Sequence, residues 1–268
     1  MLIKKIKPIT PSQRQTILLE KKDLSKKIKY KKLIKGFKRS NGRNNSGKIT
    51  VQHKGGGHKR LYRLINFNRS KKIEGIISKI VYDPNRSANI ALIKNKDKTD
   101  FILAPEGLKI GQYLKSSEDA ELFIGNALPL KKIPIGTLIH NISLHPQKEG
   151  KLIRSAGTYA QLIQIFDEKK ATVRLSSGEL KKIPLKCYAT LGVVSNTNYK
   201  IIKKGKAGRN RWLNKRPVVR GVAKNPVDHP HGGGEGKTSG GRPSVTPKGF
   251  ITKGLPTRNK KKKKLLFI

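Results

Sequence analysis

Acidic side chains are scarce in this chain: 16 Asp and Glu stand against 61 Lys and Arg over 268 residues, a formal charge of +45. So much like charge repels itself unless a polyanion neutralises it, which argues against an ordinary enzyme for a small neutral metabolite and for a nucleic-acid partner. Cysteine is nearly absent. With Cys187 alone there is no internal disulfide and no thiolate zinc set, as suits a reducing compartment. No run approaches the ~18 apolar residues of a membrane span. The amino-terminal MLIKKIKPITPSQRQ lacks an apolar signal core and holds Pro8 and Pro11, so neither insertion nor secretion is expected. Hydrophobic residues are also few, at 35% with a mean hydropathy of -0.57, so only part of the chain can form a core.

That part is located by the charge. Residues 1–72 hold 23 basic and 2 acidic residues, 73–199 hold 18 and 12, and 200–268 hold 20 and 2. A middle of ordinary globular composition therefore lies between two basic arms, 1–72 leading into it and 200–268 leaving it. Arms with so few acids and so few apolar residues cannot offset their own ordering entropy, and they are expected to order on a partner.

The middle reads as short strands. IISKIVY (76–82), ANIALIKN (88–95) and FILAPEG (101–107) are rich in Ile, Val and aromatics and are separated by DPNRS and KNKDKTD. IPIGTLIHNISL (133–144), YAQLIQIF (159–166), ATVRL (171–175), LKKIPL (180–185) and ATLGVVS (189–195) follow, with SSGE (176–179) as a hairpin turn. Strands this short and this regularly spaced make antiparallel barrels or sandwiches. The Pro- and Gly-containing GNALPLKKIP (125–134) divides them near residue 125 into two small β-barrels, 73–125 and 126–199. Each is small enough that it should pack against the other. In the amino-terminal arm, ILLEKKDLSKKI (17–28) is a candidate helix, weakened by its lysine-on-lysine spacing.

Three segments carry the candidate chemistry. VQHKGGGHKRLYR (51–63) offers His53, His58, Lys59, Arg60 and Arg63; GVAKNPVDHPHGGGEGKTSGGRP (221–243) offers His229, His231, Gly232, Gly233, Gly234 and Arg242. Triple glycine lets backbone N–H groups approach phosphate oxygens with no Cβ in the way, the alternative being a solvated flexible loop. GKAGRNRWLNKRPVVRG (205–221) sets Arg209, Arg211, Lys215, Arg216 and Arg220 around Trp212. Guanidinium groups bridge phosphates bidentately, and the indole either stacks on an unpaired base or anchors the arm on a barrel. Arg86, after the DPN turn, and Arg154, opening RSAGTY, sit at strand ends, where they either reach a phosphate or stand as surface charges. Lys260 to Lys264 form a basic run that also fits a solvated tail.

Asp228, His229, His231 and Glu235 would attract a catalytic or metal reading. Adjacent Asp and His do not orient each other well, and no Ser or Cys nucleophile has a paired base. Imidazole hydrogen-bonded to RNA is the better reading, for His53 and His58 as well.

The strings GGGHKRLYR, YDPNRSANIALI, FILAPEGLKIG, GNALPL, RSAGTYAQLI, RWLNKRPVVRGVAKNPVDHPHGGGEG and VTPKG, in that order, closely resemble the bacterial and organellar family of large-subunit ribosomal protein two. The resemblance implies an all-β core, an OB-like barrel followed by an SH3-like barrel, with long basic extensions. It implies a primary rRNA binder near the peptidyl transferase centre that supports subunit assembly, subunit association and tRNA binding. Its expected partners are large-subunit rRNA, other ribosomal proteins and, at the subunit interface, small-subunit rRNA. No membrane or small-molecule substrate is implied, and no cofactor, with Mg2+ only as the counterion of rRNA. Arg86 and Arg154 match family arginines implicated in rRNA binding. His229 matches the histidine of the DHPHGGG motif, once proposed to take part in peptide-bond formation, a reaction attributed to rRNA. Lys248, Lys224 and residues 259–268 depart from the family pattern. TSGGR (238–242) resembles the alphaproteobacterial and mitochondrial branch, and the Lys and Ile bias suits an AT-rich genome. The expected location is the mitochondrial matrix, with synthesis inside the organelle, and bacterial cytoplasm or plastid is the alternative. An acyl-transfer enzyme and a nonspecific nucleic-acid coat protein are the competing classes.

Overall fold

The computed structural model describes residues 3–25, 30–71, 73–95, 98–166, 169–235 and 241–254. Its first strands are short and pair along the amino-terminal arm. β1 (Ile3–Lys5) pairs antiparallel with β2 (Ile17–Leu19), and β3 (Ile34–Gly36) with β4 (Leu61–Arg63). The candidate helix at 17–28 is not found in its described part. Ile17, Leu18 and Leu19 join the ladder to β1, a turn follows at 21–24, and residues 26–29 lie outside the described residues. The ladder satisfies backbone groups without stacking lysines on one helical face, and its β-branched and apolar residues suit it.

The first barrel is built from β5 (Ile73–Val81), β6 (Ile90–Lys94), β7 (Thr99–Leu103) and β8 (Tyr113–Ser116). β5 alternates buried and exposed residues over its first half, so Ile73 and Ile77 face the core while Glu74 and Ile76 face out. It pairs with β8 on one edge and β6 on the other, and a register shift between Ile77 and Lys79 bends it. Ile77, Ala91, Ile93, Ile102 and Leu114 fill the interior. A parallel bridge from Ile65 to Phe101 adds the approaching chain to this OB-like barrel.

The second barrel begins at β9 (Ala127–Pro129), continues through β10 (Leu138–His140), β11 (Ile142–Ser143), β12 (Gly150–Leu152), β13 (Ala160–Phe166), β14 (Lys170–Arg174) and β15 (Leu180–Pro184), and ends at β16 (Tyr188–Leu191). Its core is Leu128, Leu130, Ile139, Leu162, Val173, Ile183 and neighbours. The expected strand at 133–144 is broken in two because Asn141 takes a left-handed conformation, φ 49. The predicted hairpin turn is present, with Gly178 N–H donating to Leu175 O. β8 and β9 pair in parallel at Ser116 and Ala127, joining both barrels into one ten-stranded sheet, β15-β14-β13-β10-β16-β9-β8-β5-β6-β7. β8 and β12 are too short and too mixed to announce a strand, and β9 lies in the Pro- and Gly-containing stretch that reads as a divider.

The two barrels are also tied side to side. Phe67, Ala88, Leu103 and Val194 form a small core of their own, Asn89 N–H donates to Ser195 Oγ, and Asn196 bonds Glu106 and Ser87. Residues 3–39 and 59–209 belong to this compact unit, and 40–58 with 210–254 form a second one. The one α-helix among the described residues, α1 (Ala207–Trp212), lies at the chain boundary between the two units.

Candidate nucleic-acid interface

Near the junction of the barrels the chain gathers four arginines, two of them on one carboxylate and the others on the same turn or the neighbouring Phe67 ring. Asp83, wholly buried in the DPN turn after β5, accepts from Arg63 Nη1 at 3.2 Å, from Arg86 Nε at 2.7 Å and from the Asn85 backbone N–H at 3.0 Å. The last bond is the Asx turn that Asp before Pro favours. Arg60 Nη1 donates to Pro84 O at 2.7 Å, on the same turn. Arg86 and Arg154 lie 5.4 and 3.8 Å from the centroid of the Phe67 ring, and Arg154 Nη2 donates to the Gly150 carbonyl. Cation–π contacts of this kind contribute about 0.5–2 kcal/mol each. A fully paired arginine would be lost to RNA, but Asp83 takes only the Nε of Arg86 and one terminal nitrogen of Arg63. The cluster is thus strongly cationic, with side chains oriented before any phosphate arrives.

Arg86 and Arg154, distant in sequence, are brought together; the residue between them, Phe67, and the carboxylate beneath them, Asp83, were not singled out from the sequence. The DPN string did hold a signal for Asp83, since Asp before Pro favours an Asx turn and Arg86 stands three residues on. Arg69 was also missed. It is buried, with Nε donating to Ser116 Oγ at 2.7 Å and Nη2 to Gly125 O at 3.2 Å, so it clamps the β8–β9 seam. Burial pushes its pKa down to about 10, which leaves it charged at neutral pH.

In the second unit, two motifs far apart in sequence pair through their backbones. Lys54 and Lys215 form an antiparallel bridge, Arg216 N–H donates to His53 O at 3.0 Å, and His58 N–H donates to Trp212 O at 3.0 Å. His53 Nδ1–H donates to Pro217 O at 2.8 Å. The ribbon carries Arg211, Lys215 and Arg216, while Lys59 and Arg209 lie just beyond it in the first unit. Trp212 is 56% exposed, and Val218, Val219 and Arg220 beyond it are exposed too. Arg242 is exposed on the chain's last described stretch. The Lys260–Lys264 run and most of TSGGR lie outside the described residues.

The DHPHGGG segment folds on itself. His229 N–H donates to Asn225 O, Gly232 N–H to His229 O at 2.8 Å, and Gly233 N–H to Lys224 O at 3.0 Å. The His229 and His231 rings stack with centroids 5.2 Å apart. The His231 backbone N–H donates to His229 Nδ1 at 3.0 Å, and the Val245 N–H to His231 Nε2 at 2.9 Å. A ring nitrogen that accepts is unprotonated, so each neutral ring carries its proton on the other nitrogen. Desolvation pushes the His229 pKa down, with His231 and Lys224 adding to the shift. Two glycines are explained within the protein itself: a Cβ on Gly232 would stand 2.3 Å from Asn225 O, and one on Gly221 2.6 Å from the His229 ring. Gly234 and His231 complete the turn, with Gly234 exposed. Among the described residues no three His, Cys, Asp or Glu side chains converge as a metal set.

Two fused small β-barrels, a preset arginine cluster and basic, partly ribboned arms define a β-barrel protein built to lie against a polyanion. Comparison with known proteins gives the family. Residues 30–116 match the model described as Ribosomal Proteins L2, RNA binding N-terminal domain, and residues 123–249 match Ribosomal Proteins L2, C-terminal domain. The chain is 54% identical to the large ribosomal subunit protein uL2m of Reclinomonas americana, covering 100% of this chain and 98% of that one. It is 54% identical to uL2 of Rickettsia peacockii and of Rickettsia massiliae, in each case over 98% of this chain and 96% of the relative. The chain belongs to the ribosomal protein L2 family.

Proposed function

We propose that this chain is a structural, RNA-binding constituent of the large ribosomal subunit that holds rRNA near the peptidyl transferase centre. The observation that carries this reading is the Arg60, Arg63, Arg86 and Arg154 cluster, oriented by Asp83 and Phe67 on a rigid seam. Arginines held in place before binding lose little rotamer freedom on a phosphate, which suits a defined RNA site better than a nonspecific coat. The ribbon of 53–58 with 212–217 presents His58 and Trp212 as further contacts, exposed Arg220 and Arg242 follow along the arm, and His229, buried in the turn at 221–234, shapes that turn. Exposed Val218, Val219 and Phe250, unusual in so polar an arm, fit a surface that RNA and neighbouring ribosomal proteins cover. Magnesium enters only as the counterion of RNA.

His229 is not a general base in this reading. Its Nδ1 lone pair is occupied by the His231 N–H, and its Nε2 carries the remaining proton, so the neutral ring has no free lone pair with which to take a proton. His229→Ala is expected to impair assembly or RNA affinity while assembled particles still form peptide bonds; assembled particles without that activity would reverse the assignment.

We place the protein in the mitochondrial ribosome, supported by the TSGGR string and the uL2m relative. Sucrose-gradient sedimentation of tagged protein from its native source, with crosslinked RNA sequenced, tests both readings. Recovery with large subunits, crosslinked to rRNA around the peptidyl transferase centre and enriched with the organelle, is expected. Scattered RNA and DNA crosslinks would favour the coat protein, and recovery in a cytoplasmic ribosome would move the location.

A further inference from the structure

One face of the barrel unit has the opposite chemistry from the rest of the molecule. Over residues 104–126 the chain carries Glu106, Glu118, Asp119 and Glu121 against Lys109 and Lys115, a net of -2 within a protein of net +45. The same stretch exposes Leu122, Phe123 and Ile124 at 56%, 61% and 47%. An RNA-facing surface would avoid these acids, because each places a like charge beside phosphate. A bare solvent face would not carry three consecutive large apolar side chains.

The segment is not a slack loop. Asn126 Nδ2 donates to Glu121 O at 2.9 Å, Gln112 Nε2 to Ile124 O at 3.1 Å, and Gly125 N–H to Leu191 O at 3.1 Å. These bonds hold the backbone as a ridge between two grooves. Leu122 and Ile124 line one of about 480 Å³ with Glu106, Pro134 and Leu138. Asp119, Glu121 and Phe123 line the other, of about 560 Å³, with Tyr113 and one cation, Lys115, which the two acids outnumber. Side chains of the ridge thus alternate between the grooves, and acids edge both.

We infer that this ridge docks an extended basic polypeptide segment of a neighbouring protein, its bulky apolar side chains seated in the grooves and its Lys or Arg side chains against Glu106, Glu118, Asp119 and Glu121. Charge complementarity selects this occupant. A second copy of this chain would bring its whole +45 against the +45 of this one, a repulsion that a patch of net -2 does not offset, and RNA would meet the acids directly. The inference rests on the large-subunit reading for its neighbouring protein, but the surface is distinct in chemistry from the arginine cluster: absence of the chain from large subunits would fail that reading, whereas a chain present in large subunits but uncrosslinked at position 123 would fail this one.

The test uses purified large subunits carrying this chain with a photo-crosslinking phenylalanine analogue at position 123, and the same analogue at exposed Leu180 as the control. The crosslinked partner peptide is identified by mass spectrometry. The expected product joins position 123 to a polypeptide segment that has net positive charge and large apolar residues. Crosslinks to rRNA, to a second copy of this chain or to a segment without net positive charge overturn the inference, as does a yield no higher than at position 180. The combined Glu118→Lys, Asp119→Lys and Glu121→Lys substitutions lie on exposed positions and are expected to lower the yield by about tenfold in particles that still contain the protein. An unchanged yield there overturns the charge argument.

Discussion

Acidification should loosen the second barrel through His140. This ring is wholly buried beside β16; its Nδ1–H donates to Gly192 O at 2.8 Å, its Nε2 meets no hydrogen-bond partner among the described residues, and burial holds its pKa down at about 4, with Arg69 adding to the shift. In the unfolded chain the same ring titrates near the ordinary value of 6.5. Between those values the unfolded chain binds the proton and the folded chain does not, so stability falls as pH drops from about 6.5 to about 4 and changes no further below that. A shift of roughly 2.5 pH units at about 1.36 kcal/mol each amounts to about 3 kcal/mol, a large share of a small domain's stability. The assay is urea unfolding of the full chain followed by far-UV circular dichroism from pH 7.5 to 4, in enough salt to screen the arms. His140→Gln keeps a donor for Gly192 and removes the titration, so the difference between wild type and variant isolates this group from the other acids and histidines. The wild-type curve should lose about 3 kcal/mol more than the variant across that window. Parallel curves would refute the argument.

Asp83→Ala removes a negative charge, so charge counting predicts tighter RNA binding. Orientation predicts the reverse, together with a stability loss of about 1.5–3 kcal/mol from the charge-assisted hydrogen bonds that two partly exposed arginines lose, and a filter-binding titration on an rRNA fragment at matched salt decides between them. Arg86→Ala should weaken binding and flatten the log-log salt slope by about 0.9, the share of one phosphate contact; an unchanged slope would remove Arg86 from the interface. Gly221→Ala should push the His229 ring out of place and shift its resonances in the NMR spectrum, while Gly36→Ala, where a Cβ meets open space, should leave them unmoved. Amides of the 53–58 and 212–217 ribbon should exchange with solvent far more slowly in RNA-bound than in free protein, and strong protection without RNA would refute partner-dependent ordering of the arms.

Much of the barrel core was legible because strand signals are local. Runs such as ANIALIKN and ATVRL hold their β-branched residues within a few positions, and the structure pairs them as β6 and β14. The misses have a common cause. β9 is apolar but only three residues long and lies in the Pro- and Gly-containing stretch that reads as a divider, β8 alternates apolar and polar over only four residues, and Arg69 braces the seam where Ser116 and Ala127 pair. The candidate helix at 17–28 failed for a related reason: Ile17–Leu19 found a ladder partner in β1, and a tertiary pairing outweighs a weak local preference.

Sequence by itself determined the chemistry of the partner and the family. Charge of +45 in two arms, short spaced strands and the motif strings are properties of composition and order, which survive without coordinates. Only the tertiary structure decided which side chains act together. Asp83 became the buried anchor of Arg63 and Arg86, Phe67 became the plane between Arg86 and Arg154, and His53 met Pro217 across 164 positions. Such contacts depend on chain closure over long separations, and no local pattern of residues encodes which distant segment will arrive. The lone pairs of His229 and His231 were likewise spent on backbone N–H groups that the fold alone brought within reach.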